Sequence, residues 1–377
     1  MGQVILETHQ DLEDFVRGCT LYGVGGGGNP AEGLKALEEQ FDVGKSLGWV
    51  DPENLPPGSW AACAFLMGST APLTEEKIRQ KEELGLTHWR YPRNLAVTTQ
   101  RLEEFTGKRI SALIPLELGG SNTPAPVAAA ASLGKLVVDG DFAGRAVPEI
   151  TQTTAAAAGI PFTPATSVDK YGNYCVIIDT LSLELAERTG KYLSEVAFGS
   201  TGLCGFMVEA PKVPQVVVRG TLTRALQAGR LIRSALERGE EPFKALADQL
   251  GFYVLFKGKV VEKPWADRDG YYWGSHILEG EGEFIGSRAK VVFKNENHLF
   301  YREDRLLVSS PDLIMNMDAD TGQPLRNEDI EVGRRLVILG APCGSQLRTE
   351  AALKYIGPRH FGVDQDYVPI EETLGGK

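Results

Sequence analysis

Cysteine and histidine are scarce and scattered in this chain of 377 residues. The five cysteines, Cys19, Cys63, Cys175, Cys204 and Cys343, form no CxxC, so neither a zinc ribbon nor a redox pair has support. Wide spacing and an odd count fit reduced, mostly buried thiols. Cys204 lies in a small-residue loop over 199–205, where it reads as a nucleophile or as a structural thiol. His9, His88, His276, His298 and His360 form neither HxH nor HExxH, so an imidazole-rich zinc site would have to assemble from distant parts. No apolar run approaches the ~18 residues of a membrane helix. Basic clusters are missing and the net charge is -11, which argues against nucleic acid as a partner. The start, MGQVILETHQDLEDF, is acidic and shows no signal-peptide pattern, and Leu6 fails the myristoylation pattern. The cytoplasm is therefore the expected compartment. Repeats and low-complexity segments are also absent from the sequence.

What is present is an ordinary globular composition, 42% hydrophobic and 24% charged, on a chain long enough for two domains. Its centre of organisation is the stretch 110–145, ISALIPLELGGSNTPAPVAAAASLGKLVVDGDFAGR. An apolar run at 110–116 ends in Glu117 and Gly119-Gly120. A small-residue helix over 123–133 follows, and a second apolar run at 136–138 ends in Asp139, Gly140 and Asp141. Strand, helix, strand in that order predicts a parallel crossover. Ligands in such sheets sit beyond the carboxyl ends of the strands, so Glu117, Asp139 and Asp141 should meet at one rim.

The same arrangement of apolar run, small-residue loop and helix occurs elsewhere. A short strand at 19–24 would enter Gly25–Gly28, Asn29 and Pro30 ahead of a helix over 31–40. Gly23-x-Gly25-x-x-Gly28 formally matches the dinucleotide fingerprint, but no convincing second strand ends in the ribose-binding acid it needs. A turn for some ligand at a helix N-terminus, or a bare tight turn, are the other readings. A run at 60–67 ends in a loop containing Thr70, and Thr74 then caps an acidic helix start. Residues 88–92, HWRYP, read as a lid or an oligomer contact.

Asp139 and Asp141 lie two apart across Gly140. As a pair they would raise one pKa and set an acid beside a base. With Glu117 they are also candidate oxygen ligands for a divalent cation. Alternatively, Asp139 caps a helix and Asp141 pairs with Arg145. Arg145 itself reads equally as a bidentate anchor for a substrate carboxylate or as a structural partner of Asp139 or Glu149. Pocket-forming positions on this reading are Gly27, Gly28, Asn29, Thr70, Glu117, Asn122, Asp139, Asp141 and Arg145.

The helix at 221–238 is amphipathic, and from Phe252 short β-type runs take over, separated by Asp, Gly and Asn turns. Asp318-x-Asp320-x-Gly322 reads as a hairpin turn; its resemblance to a calcium loop lacks the closing Glu. The expected division is an α/β domain over 1–204 carrying the site, and a mainly β domain over 205–377 with flanking helices.

GGGGNP at 25–30, ELGGSN at 117–122, VDGDFAGRAVPE at 138–149 and TLTRALQAGRLIRSAL at 221–236 together resemble the S-methyl thiohydantoin desulfurase-like family, associated with hydantoinase/oxoprolinase enzymes. The resemblance runs through nearly the whole chain in the same order. It implies a Rossmann-like, parallel-sheet N-terminal domain followed by a mainly β domain. It also implies hydrolysis of a cyclic ureide or S-methyl thiohydantoin-like five-membered ring. Its catalytic residues are not carried over; Glu117, Asp139 and Asp141 are assigned from the rim, with Gly27, Gly28, Asn29, Thr70, Asn122 and Arg145 as substrate contacts. No NAD is expected. Rival readings are a non-catalytic companion subunit of a hydantoinase/oxoprolinase enzyme and a nucleotide- or NAD-binding oxidoreductase. A homo-oligomer is expected.

Overall fold

The computed structural model describes residues 2–68 and 73–375. Thr70 lies outside them. The first domain is built on a six-stranded sheet in the order Leu136–Val137, Ile110–Pro115, Trp60–Gly68, Ser200–Glu209, Ala165–Asp169, Tyr174–Ile177. The first three strands are mutually parallel, and helix Pro124–Leu133 makes the crossover between two of them as the sequence predicts. The other three strands run antiparallel. This corrects the expectation of a parallel, Rossmann-like sheet: the sheet is mixed. Its cause is local. Asp169 Oδ1 accepts the backbone N–H groups of Tyr171, Gly172 and Asn173, closing a tight hairpin between Ala165–Asp169 and Tyr174–Ile177. Helix Leu183–Val196 then returns the chain to an antiparallel strand at the sheet centre.

Side chains alternate across the central strand. Ala62 and Ala64 face one core with helices His9–Tyr22, Pro124–Leu133 and Thr221–Glu237; Cys63, Phe65 and Met67 face a second, with Phe142, Phe162 and Phe206. Both faces are covered, which explains apolar runs without alternation.

The expected strand at 19–24 is instead the end of helix His9–Tyr22, which Thr8 and Asp11 start with a reciprocal capping box. The glycine loop thus joins helix to helix, outside the strand–turn–helix setting that gives the fingerprint its meaning. Helix His9–Tyr22 crosses helix Thr221–Glu237 at glycines. A Cβ on Gly18 would overlap the Ala225 carbonyl, and one on Gly229 the Asp14 carbonyl. Gly229→Ala is expected to destabilise the fold by ~1–3 kcal/mol or more, because the overlap is with rigid backbone. Chemical denaturation against the wild type checks this.

The second domain is one antiparallel eight-stranded sheet over residues 253–341, bent so that its two ends approach each other. Its core holds Phe256, Val260, Val291, Phe300 and Ile338. Asp318 Oδ1 accepts from Asp320 and Thr321 N–H, so DADTG is a tight turn that brings Pro324 back to an antiparallel bridge with Met317. Leu313, Met315, Met317, Val337 and Leu339 join the core of the first domain.

Candidate active site

A cleft-like cavity of about 420 Å³ lies where the two domains meet. The two glycine-bearing loops form part of its wall, and each is built by the other. Gly27 O accepts the N–H groups of Ser121 and Asn122, at 3.0 and 3.1 Å. A Cβ on Gly27, at φ +76°, would collide with Gly119 Cα. Thr123 Oγ1 closes the ELGGSN loop by donating to Glu117 O and accepting from Gly119 N–H. Two non-glycine residues beside the cavity hold left-handed backbone, Val24 at φ 44° and Asn295 at φ 57°. Such conformations are costly for a β-branched residue and gather at functional sites. The first of these loops is fixed to the second domain: Val24 O accepts from Asn297 N–H and Gly25 O from Asn327 N–H.

Gly27, Gly28, Asn29, Glu117 and Asn122 all line this cavity. Asn29 also caps helix Pro30–Phe41 through Ala31 N–H. Glu117 is 2% exposed; its Oε1 accepts from Asn122 Nδ2 at 2.6 Å and its Oε2 from Val147 N–H at 2.6 Å. Burial raises the Glu117 carboxyl to about 7; those two bonds and Lys191 oppose the rise, and Asp141 adds to it.

Asp139, Asp141 and Arg145, by contrast, are not among the residues lining the cavity. Asp139 accepts from Thr223 N–H at 3.1 Å and from Thr223 Oγ1 at 2.6 Å, at the start of helix Thr221–Glu237. This is the capping alternative. Asp141 is fully buried, and its Oδ2 accepts from Ala143 and Gly144 N–H, folding the turn that carries Val147 toward Glu117. Burial pushes its carboxyl to about 7. Arg145 is also fully buried and donates to four backbone carbonyls, those of Ala146, Pro311, Asp312 and Asn297. Three of these belong to the second domain. Among the described residues, no group of three or more His, Cys, Asp or Glu side chains is placed to hold a metal ion, so Glu117, Asp139 and Asp141 do not form the ligand set the sequence suggested. Burial raises the Cys204 thiol to about 12, which leaves it un-ionised and favours the structural reading.

Sequence reading missed the far wall. Glu296, Glu187, Glu149 and Lys191 all line the cavity. Glu296 is 3% exposed; its Oε1 accepts from Gly27 N–H at 3.3 Å, and its buried Oε2 has no hydrogen-bond partner. Only glycine at 26 lets this carboxylate approach, since a Cβ there would overlap Oε1. Burial, and then the Glu117 carboxylate, raise Glu296 well above the usual range, against the pull of Arg145 and Lys191. Glu187 accepts from the Tyr271 hydroxyl and Ile150 N–H, each at 2.9 Å. Lys191 Nζ donates to Gly68 O at 3.1 Å and stands 4.2 Å from the Tyr271 ring centre; burial lowers its pKa, opposed by Glu187 and Glu296. Burial would raise Glu149, but a hydrogen bond from His360 and the Lys294 charge outweigh it and bring it to about 2. The short helical turn Pro358–Phe361 reaches the site through this His360 contact.

Models of two domains match the chain: "S-Me-THD-like, N-terminal domain" over residues 10–179 and "S-Me-THD-like, C-terminal domain" over 182–370. The chain belongs to the S-Me-THD-like family. A crystal structure of a protein from Chromobacterium violaceum shares the fold at a TM-score of 0.77 and 23% identity, covering 98% of this chain and 100% of that one. No curated protein matches. The motifs that carried the resemblance have a structural meaning in this family member. In D-x-x-G-R-A-x-P-E, Asp141 folds the turn, Arg145 clamps the second domain's carbonyls, and Glu149 binds Lys294 and His360. No helix among the described residues is long and apolar enough to cross a membrane.

Proposed function

We propose that this protein hydrolyses the C–S bond of an S-methyl thiohydantoin-like five-membered ring bound between its two domains. The observation that carries the reading is the pair of buried glutamates, Glu117 and Glu296, in the wall of one cavity, with raised pKa values and one carboxylate oxygen left unpaired. Burying like charges without full hydrogen bonding is costly, and enzymes retain such pairs where an acid must work beside a base. A cavity of about 420 Å³ falls in the ~300–1,000 Å³ range of small-molecule sites, and part of its wall is apolar, with Phe65, Leu66, Met67, Leu95 and Leu116.

In this mechanism Glu296 enters protonated and donates to the ring nitrogen, which makes the amidine-like carbon electrophilic. Glu117 takes a proton from water as the water oxygen bonds to that carbon. Collapse of the intermediate breaks the C–S bond. The thiolate leaves with the proton held by Glu117, and the new hydroxyl returns its proton to Glu296 as it becomes the ring carbonyl. The products are hydantoin and methanethiol, and both carboxyls are restored. Asn122 fixes the Glu117 rotamer, and the Lys191 ammonium balances negative charge in the cavity.

The test is direct. Purified protein incubated with S-methyl thiohydantoin should release methanethiol, read with a thiol reagent; no release above the buffer rate rejects the reading. The pH profile follows from the two carboxyls. The rate should rise through about 7 as Glu117 loses its proton, and fall at higher pH as Glu296 loses its own. A kcat/KM flat across about pH 5–9 would be inconsistent with acid–base work by this pair.

A further inference from the structure

The cavity is larger than a bare five-membered ring needs, and its mouth differs from its floor. Beyond the glutamates the walls turn apolar, with Leu95 and Ala96 on one helix and Ala125, Ala128 and Ala129 on another. At the rim stand Arg93 and Lys170. Glu39 neutralises Arg93 by taking its Nε and Nη2 at 2.8 and 2.9 Å, and Glu32 lies 3.6 Å from it. Lys294 and Lys191, deeper in, are matched by Glu149 and by Gly68 O with Glu187. Lys170 differs. Its ammonium rests over the Trp89 ring, 4.4 Å from the centre, and among the described residues it has neither an ion pair nor a side-chain hydrogen bond. Burial depresses its pKa, as do the nearby Arg93 and Lys81, against Glu32. The 88–92 loop, which supplies Trp89 and the cavity-lining Pro92, is pinned to the Lys170 carbonyl by Tyr91 N–H at 2.9 Å.

We propose that the ring bound here carries an apolar arm ending in a carboxylate, and that Lys170, seated on Trp89, receives this anion at the cavity mouth. The inference rests on the hydrolase reading for the ring itself. An anion at this point gives Lys170 the partner that Arg93 already has, and relieves its repulsion from Arg93 and Lys81. A neutral arm would occupy the same apolar wall and leave the ammonium unmatched.

The test separates the arm from the chemistry. Hydantoins bearing one alkyl arm that ends in a carboxylate or in the matching carboxamide are titrated by calorimetry into wild-type protein and Lys170→Met. Charge-assisted bonds of this kind are worth roughly tenfold to a hundredfold in affinity, so wild type should favour the carboxylate by that factor. Lys170→Met should bring the two arms to equal affinity. Equal affinity in the wild type, binding of neither arm, or a preference unchanged by Lys170→Met overturns the proposal. Methanethiol release is read separately from the corresponding S-methyl thiohydantoins. Release without a carboxylate preference leaves the hydrolase reading in place and removes only the anion site. A carboxylate preference without release does the reverse.

Discussion

Glu296→Gln is expected to lower turnover of S-methyl thiohydantoin by ~10²–10⁴ while the protein melts no lower than the wild type. The substitution changes little else. Glutamine keeps an oxygen to accept Gly27 N–H, fills the same space, and removes a carboxylate whose second oxygen is buried without a partner. Loss of rate together with retained stability is the signature of a group held for chemistry. The sign of the stability change can be worked out. The carboxyl is raised in the folded state above its unfolded value of ~4.3. Its contribution to stability is therefore full below that unfolded value and is lost as pH rises through the folded pKa. Glutamine does not titrate, so the gap in Tm between variant and wild type should widen in the variant's favour from mildly acidic to alkaline pH. Melting curves across that range, beside thiol release at one pH, give both readouts. Near-wild-type turnover would remove Glu296 from the mechanism, and a Tm deficit that grows with pH would contradict its raised pKa.

That residue shows where sequence reading stopped. The rim itself was legible. Gly27, Gly28, Asn29, Glu117 and Asn122 were placed together from small-residue loops after apolar runs, and the cavity is lined by all five. The parallel crossover over 110–138 was readable because uninterrupted apolar runs flank a helix of alanines. The antiparallel half of the sheet was not, because Ala165–Asp169 is short and its hairpin depends on one aspartate side chain capturing three N–H groups. Glu296 was hidden for another reason. It sits in the second domain, and nothing in its local pattern says that the strand meets a glycine loop of the first. A signal did exist: Lys294, Asn295 and Glu296 interrupt the apolar run VVFKNENHLFY, and all three are buried. Charged residues inside a buried strand need partners, so such an interruption points to a site or an ion-pair network. Asp139 and Asp141 were attractive because paired carboxylates at a strand end often do chemistry. Their actual partners, Thr223 on a distant helix and the 143–144 turn, cannot be inferred from spacing alone.

Arg145→Lys is expected to cost about 3–5 kcal/mol of stability, with no specific rise in KM for the protein that remains folded. Read from the sequence alone, Arg145 as a substrate anchor would give the opposite result, a raised KM with stability intact. The geometry decides between them. The guanidinium is fully buried and spreads its donors over the carbonyls of Ala146, Pro311, Asp312 and Asn297, three of them in the second domain. Burial lowers its pKa only to about 10, so it carries its charge at neutral pH. A lysine ammonium is a single point with three donors and cannot span carbonyls that a planar fork reaches from several sides. Each buried acceptor left without a donor costs ~1–3 kcal/mol. Against a total stability of about 5–15 kcal/mol for a folded domain, that loss is large. Because the same carbonyls flank Asn297 and Pro311, it should be felt first between the domains, as earlier amide exchange there than in the six-stranded sheet. Urea melts and hydrogen exchange on Arg145→Lys, with KM measured at low temperature, distinguish the two roles. An unchanged melting midpoint with a KM raised tenfold would restore Arg145 as an anchor, and the bonds to the second domain would then be incidental.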